Sequence, residues 1–284
     1  MFKSIGRQLA AWGKGNQQGS NDPDFMIIGA QKAGTSSLFH YLAQHPEITG
    51  STTKEVGHFH NNRHLGKSIA DYRRFFVGPP SQLYFEATPL YLYYPGVAAE
   101  IQRHYPEIKL IVLLREPGKR AYSAWNHYRD IFVSGKYKKA ILGKQPLPGS
   151  KLAEKLFQNR EAFPSFRECI DIELELMASN DGFEPGILRR GLYLEQLEEY
   201  WKYFNRDQML ILGFRDLVDD LDGTLDKVTR FLGVAPLNAA DIAKEPKNQR
   251  KYSEPMRQQD REFLDEFYAA PNQKLFEVIG DLNW

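Results

Sequence analysis

Phe25-Met26-Ile27-Ile28 is an unbroken apolar run that ends in Gly29-Ala30-Gln31-Lys32-Ala33-Gly34-Thr35-Ser36-Ser37. Leu38, Phe39, Tyr41 and Leu42 then recur at helical spacing as far as Pro46, so the stretch reads strand, glycine-bounded loop, helix N-terminus. A strand apolar on both faces that feeds directly into a helix belongs to a parallel sheet covered by helices. Leu83-Tyr84-Phe85-Glu86, Lys109 to Leu114 and Met209-Leu210-Ile211-Leu212 are further strand candidates. Helices are expected over Lys119 to Arg129, Phe166 to Ser179, Leu192 to Phe204 and Leu221 to Leu232. The expected fold class is α/β, a three-layer sandwich with a central parallel sheet flanked by helices.

Composition sets the limits. A chain of 284 residues, 42% hydrophobic and 26% charged, can bury a large core without staples. We divide it into an N-terminal basic segment and linker, 1–24, and a single domain, 25–284. Residues 135–163 form a basic excursion, with Lys136, Lys138, Lys139, Lys144, Lys151 and Lys155. Phe2, Ile5, Leu9 and Trp12, with Lys3, Arg7 and Lys14 between them, fit a short amphipathic helix docked on the body or frayed; membrane contact through residues 1–14 is the alternative. Lys and Arg number 37 against 36 acidic residues, so no global field favours nucleic acid and any anion site must be local. Cys169 stands alone, so no intrachain disulfide forms. With no run of 18 apolar residues and no secretory leader pattern, a cytoplasmic protein is expected.

Gly29 and Gly34 have the GxxxxG spacing of a P-loop, but Thr35 and Ser36 follow where Lys-Ser/Thr belongs, and the lysine sits inside the loop as Lys32. Such a loop at a helix N-terminus suits a single phosphate and its bridging oxygen, without a metal. The plainer reading is a turn whose Thr35 or Ser36 caps the helix. After the strand at 109–114 come Arg115-Glu116-Pro117-Gly118-Lys119-Arg120-Ala121-Tyr122-Ser123. Arg115 stands at a strand's carboxyl end, where open α/β sheets bind ligands. An Arg–Glu surface pair and an exposed helical serine are the alternative for this segment.

Phe25 to Leu42 resembles the 5′-phosphosulfate loop of sulfotransferases that use 3′-phosphoadenosine 5′-phosphosulfate (PAPS), in particular the heparan-sulfate-type enzymes and their bacterial relatives. The resemblance extends over roughly Phe25 to Trp284 and implies a P-loop-like sandwich. It implies that Gln31, Lys32, Ala33, Gly34, Thr35 and Ser36 hold the 5′ end of the donor, with Lys32 supporting the departing phosphate. Arg115 and Ser123 match the 3′-phosphate site, Tyr193 in Gly191-Leu192-Tyr193 the adenosine side, and Arg250 and Lys251 a basic loop that closes over the donor. In Lys54-Glu55-Val56-Gly57-His58-Phe59-His60 the position of Glu55 matches the base that takes the acceptor proton. The family's histidine is Gly57 here, and His58 remains an alternative base, while His60 reads as a solvated loop residue. Ala87 stands where heparan-sulfate enzymes often carry lysine, a departure that weakens the case for an animal-type glycosaminoglycan acceptor. Glu86 and Thr88 are candidates for ordering the neighbouring loop, and Tyr91, Tyr93 and Tyr94 for lining an acceptor cleft or the core. The implied activity is transfer of a sulfuryl group from PAPS to a hydroxyl or amine of a carbohydrate or small metabolite, with no metal required. An ATP-dependent P-loop kinase and a noncatalytic nucleotide or glycan binder are the alternatives.

Overall fold

The apolar runs become five parallel strands: β1 (Phe25–Gly29), β2 (Ile48–Gly50), β3 (Leu83–Ala87), β4 (Lys109–Leu114) and β5 (Met209–Gly213). They hydrogen-bond in the order β2-β3-β1-β4-β5. The computed structural model describes residues 22–60, 68–80, 82–137, 151–179, 184–243, 252 and 254–284. Every residue of β1 is buried, as are Leu110 to Leu114 of β4. A central strand covered on both faces has no position at which a polar side chain would meet water, which is why these segments carry no alternation.

Helices cover the sheet: α1 (Thr35–Leu42), α2 (Ile69–Arg73), α3 (Val97–His104), α4 (Pro117–Val133), α5 (Lys151–Phe157), α6 (Phe166–Ala178), α7 (Tyr193–Trp201), α8 (Phe214–Asp219), α9 (Leu221–Leu232) and α10 (Gln258–Ile279). One core joins the strands to α1, α3, α7 and α9; a second packs Tyr128 of α4 against Leu156 and Phe157 of α5, Ile170 of α6 and Tyr268 of α10. Helix α4 begins two residues before the expected Lys119, because Glu116 caps the Lys119 N–H at 3.1 Å and Pro117 suits a first helical position. The edge strand β2 escaped the sequence reading, since three residues are too short to show a period.

Several expectations fall on residues that are not described: the basic amphipathic segment 1–14, residues 138–150 of the excursion, and both Arg250 and Lys251. The end of the expected linker is fastened to the body. Asp22 accepts from Arg73 Nε at 2.7 Å and from the Tyr105 hydroxyl at 2.9 Å, and Asp24 accepts from the Tyr84 N–H at 2.8 Å. None of the described helices is long and apolar enough to cross a membrane.

Because β1 lies between β3 and β4, the chain leaves it toward one edge and later returns to build the other. Crevices that bind ligands form at the carboxyl ends of strands where the winding reverses in this way. The loops after β1, β3 and β4, and the chain leaving β2, all emerge at that one end.

Candidate active site

The loop after β1 is shaped by close approach and by an unusual backbone. Leu92 donates its N–H to the Ile28 carbonyl at 2.9 Å, and a Cβ on Gly29 would lie only 2.6 Å from the Leu92 Cβ, so the strand must end in glycine. Gly34 caps α1 with φ 90°, in the left-handed region that glycine enters without strain. A side chain there would also press on Phe214 and Leu217 at 3.0 Å. Helix α1 starts at Thr35 and no side chain caps its N-terminus, as at α3, α7, α8 and α10, while Ser68, Glu116, Ser165 and Asp220 cap α2, α4, α6 and α9. The reading of Thr35 or Ser36 as an ordinary N-cap therefore fails. Thr35 is itself buried, so this uncapped turn, with its outward dipole and orphan N–H groups, is suited to an anion.

Arg115 joins the two anion sites expected from the sequence. Its Nη1 donates to the Lys32 carbonyl at 3.1 Å and its guanidinium lies 4.7 Å from the centre of the Phe214 ring. Arg115 forms no ion pair with Glu116, which turns instead to Lys119, with Nζ at 3.2 Å. Arg115 Nε is buried and has no hydrogen-bond partner among the described residues. A buried donor left in this state is a natural place for a ligand's phosphate oxygen. Tyr193 holds the same arginine from behind: its hydroxyl donates to the Arg115 carbonyl at 2.8 Å, and burial pushes its pKa up to about 12, keeping it a neutral donor. Ser123 is buried in the second turn of α4, so it is not the exposed helical serine of the alternative reading.

The loop at 54–60 follows β2 and is bonded to the end of β3, the strand beside β1. Glu55 donates its N–H to the Ala87 carbonyl at 3.1 Å. Its carboxylate is half exposed and pairs with Lys54 Nζ at 2.8 Å. Beneath the loop lies Glu86, fully buried. One of its oxygens accepts from the Tyr72 hydroxyl at 2.6 Å and the Tyr91 hydroxyl at 2.9 Å, the other from Thr88 at 2.5 Å, and the Val56 N–H also reaches the carboxylate. Burial raises the pKa of Glu86 and these donors partly offset the rise. Two of the hydroxyls reach on to the loop: Thr88 accepts from the Gly57 N–H at 3.2 Å and Tyr91 from the Phe59 N–H at 3.4 Å. His58 and His60 are both half buried. The His58 ring packs 4.9 Å from that of Tyr72, and His60 lies 4.9 Å from Tyr94, so His60 is not the solvated residue expected.

Left-handed backbone at a non-glycine residue occurs at Lys32 (φ 71°), Glu55 (φ 62°), Asn159 and Asn283 among the described residues. Asparagine tolerates that region; lysine and glutamate hold it only where the surroundings impose it, and such strain clusters at functional sites. The two residues matched to catalysis are thus the two strained ones.

Two participants were given no role from the sequence. Arg190 donates through Nη1 to Gln31 Oε1 at 2.6 Å and pairs with Glu184, while Gln31 Nε2 lies 3.4 Å from the Tyr128 hydroxyl. Phe214, under Arg115, follows β5 at its carboxyl end, the one signal by which the strand-end rule could have found it. The signal for Arg190 was a charge set among apolar Ile187, Leu188 and Leu192. No group of three or more His, Cys, Asp or Glu side chains that could hold a metal ion occurs among the described residues.

The sulfotransferase domain model matches residues 22–265. The chain is 23% identical over 317 residues to the membrane-associated sulfotransferase kil1 of Dictyostelium discoideum, covering 92% of this chain and 66% of that protein. It is 26% identical over 293 residues to the bifunctional heparan sulfate N-deacetylase/N-sulfotransferase 4 of Mus musculus, covering 92% of this chain and 30% of that protein. It therefore spans about two thirds of the first relative and less than a third of the second. A solved sulfotransferase from Alicyclobacillus acidocaldarius superposes with a TM-score of 0.66 at 27% identity, over 91% of this chain and 96% of that one. With its sheet order, its uncapped loop helix and a domain match over most of its length, the chain belongs to the sulfotransferase family.

Proposed function

We propose that this protein transfers a sulfuryl group from PAPS to a hydroxyl or amine of a carbohydrate or small-metabolite acceptor. The observation that carries the reading is the pair of left-handed residues, Lys32 and Glu55, on loops anchored to the neighbouring strands β1 and β3, about 4.8 Å apart in the sheet. Lys32 and the N–H groups opening α1 take the 5′-phosphate end of the donor, and Arg115, whose Nε has no partner among the described residues, takes the 3′-phosphate together with Ser123. The acceptor's lone pair attacks sulfur, the bond from sulfur to the bridging oxygen breaks, and that electron pair leaves with 3′-phosphoadenosine 5′-phosphate (PAP). Glu55 receives the acceptor's proton. The half-exposed carboxylate can meet an acceptor arriving from solvent, and the lysine beside the bridging oxygen stabilises the charge that grows there. The work is positioning and electrostatics, as in phosphoryl transfer.

The test pairs calorimetry with turnover. PAP binds more tightly than AMP or ATP, and label from PAPS passes to one or more members of a panel of sugars and hydroxylated or amine-bearing metabolites. Equal affinity for PAP and ATP, with turnover that needs ATP and stops with EDTA, overturns the assignment in favour of a kinase. Tight PAP binding with no transfer to any acceptor supports a noncatalytic binder.

A further inference from the structure

Arg190 is almost completely buried, and the turn that carries it, Arg189–Gly191, is held from several sides. Glu173, also buried, accepts the N–H groups of Ile187, Leu188 and Arg189 at 2.6, 2.9 and 2.9 Å. The Tyr268 hydroxyl donates to the Leu188 carbonyl at 2.7 Å, and Arg120 donates to the carbonyl of Ile187. From this fixed post the Arg190 guanidinium lies over Tyr93, 4.8 Å from the ring centre, pairs with Glu184, and places Nη1 on Gln31, the residue before Lys32. With Arg190 buried and Glu184 only partly so, the ion pair is a poor stabilising device, since well-packed apolar residues often do as well or better. Its value lies in fixing whatever it grips.

We infer that Arg190 is a positioning residue for the donor: through Gln31 it holds the loop 30–34 in its binding geometry before the nucleotide arrives. Arg115 grips the same loop one residue further on, at the Lys32 carbonyl. The strained Lys32 is thus fixed on one side by a guanidinium on its own carbonyl and on the other by a guanidinium on its neighbour's amide. Preorganising a loop in this manner removes an ordering cost from binding. Lysine cannot replace the arginine, because a single ammonium does not span Gln31 and Glu184 with a planar fork.

The inference rests on the PAPS reading above, and the experiment separates the two. Dissociation constants for PAP are measured for the wild type, Arg190→Met, Arg190→Lys, Gln31→Met and the Gln31→Met/Arg190→Met double variant, with amide exchange of residues 30–34 followed without ligand. Each single variant should bind PAP about tenfold more weakly, the worth of one charge-assisted hydrogen bond. The double variant should be no weaker than the worse single one, and loop exchange should quicken in both Arg190 variants. Additive losses in the double variant, or wild-type affinity and wild-type loop exchange in Arg190→Lys, overturn the role. Should Arg190→Met not fold, the Arg190→Lys and Gln31→Met comparison carries the same decision. A wild type that binds no PAP overturns the nucleotide assignment, and the loop exchange then still decides whether Arg190 holds the loop.

Discussion

The donor loop at 30–34 and the acceptor-side loop at 54–60 solve the same mechanical problem by opposite means. Each emerges at the carboxyl end of the sheet, and each presents one side chain on left-handed backbone. The donor loop has its first N–H, of Ala30, held by the Leu113 carbonyl at 2.7 Å, and beyond that it is gripped at a carbonyl and a side-chain amide, by Arg115 on Lys32 and by Arg190 on Gln31. The acceptor-side loop is gripped at its N–H groups: Glu55 by the Ala87 carbonyl, Val56 by Glu86, Gly57 by Thr88 and Phe59 by Tyr91. The difference fits what the proposed function asks of each loop. A loop that binds phosphate works through backbone donors at a helix N-terminus, so its clamps are cations that take carbonyl and amide oxygen. A loop that offers a carboxylate as base has no such use for its N–H groups, and acceptors can hold them.

The largest effects should divide along this line. Lys32→Ala should lower kcat roughly 10²- to 10³-fold and also weaken PAP binding, since in the proposed reaction the lysine touches the donor in both ground and transition state. Glu55→Gln should lower kcat by a similar factor, on the order of 10²-fold or more, with PAP affinity unchanged in calorimetry. Loss of nucleotide affinity in Glu55→Gln would erase the division of labour between the loops.

Glu86→Gln comes next. Donors from Tyr72, Tyr91, Thr88 and Val56 converge on the carboxylate, and an amide offers one oxygen in place of two, so destabilisation of about 1–3 kcal/mol is expected. The pH dependence carries a sign. Burial raises the Glu86 pKa above its ordinary value of 4.5, so the native state binds the proton more tightly than the unfolded chain. The contribution of Glu86 to stability is therefore fully present below the unfolded value, declines as pH rises through the interval up to the native value, and is level beyond it. Urea unfolding of wild type and variant across that range should show the wild-type advantage shrinking with pH. An advantage that grows with pH would mean that the four donors outweigh burial. Turnover should fall with PAP affinity intact, because the carboxylate serves only the acceptor-side loop.

Much of the architecture was legible because burial writes itself into composition. The runs at 25–28 and 109–114 are apolar throughout since both faces are covered, and Gly29 and Gly34 mark where side chains cannot be tolerated. Lys32 and Arg115 stood out through a glycine-bounded loop and a strand end, whereas Glu55 and Tyr193 were marked only by the family resemblance. The clamps were not: Arg190 and Gln31 are 159 residues apart, and no local period or spacing encodes a contact made only when the chain has folded. Thr88 and Glu86 fell between these cases. Their nearness to the active loop could be read, but the way two hydroxyls relay a single buried carboxylate to the N–H groups of Gly57 and Phe59 depends on Tyr91 folding back from the following turn.

The smallest expected effect tests whether the strain shared by the two loops is real. At φ 71° and 62°, Lys32 and Glu55 carry a Cβ where L-residues meet the following carbonyl, a conflict that glycine escapes. Glycine in ordinary backbone loses about 0.5–1 kcal/mol against alanine through unfolded-state entropy, and only a left-handed native conformation reverses that order. Lys32→Gly should therefore unfold at higher urea than Lys32→Ala, and Glu55→Gly higher than Glu55→Ala, by about 1 kcal/mol in each pair. Comparing glycine with alanine cancels the loss of the charged side chain, including the Lys54 ion pair at Glu55. If alanine is the more stable at either site, that residue is not held left-handed, and the backbone argument for its catalytic role fails there. If glycine wins at both while turnover is lost at both, the protein keeps strained residues at these two positions at a cost in stability because the reaction needs their side chains there.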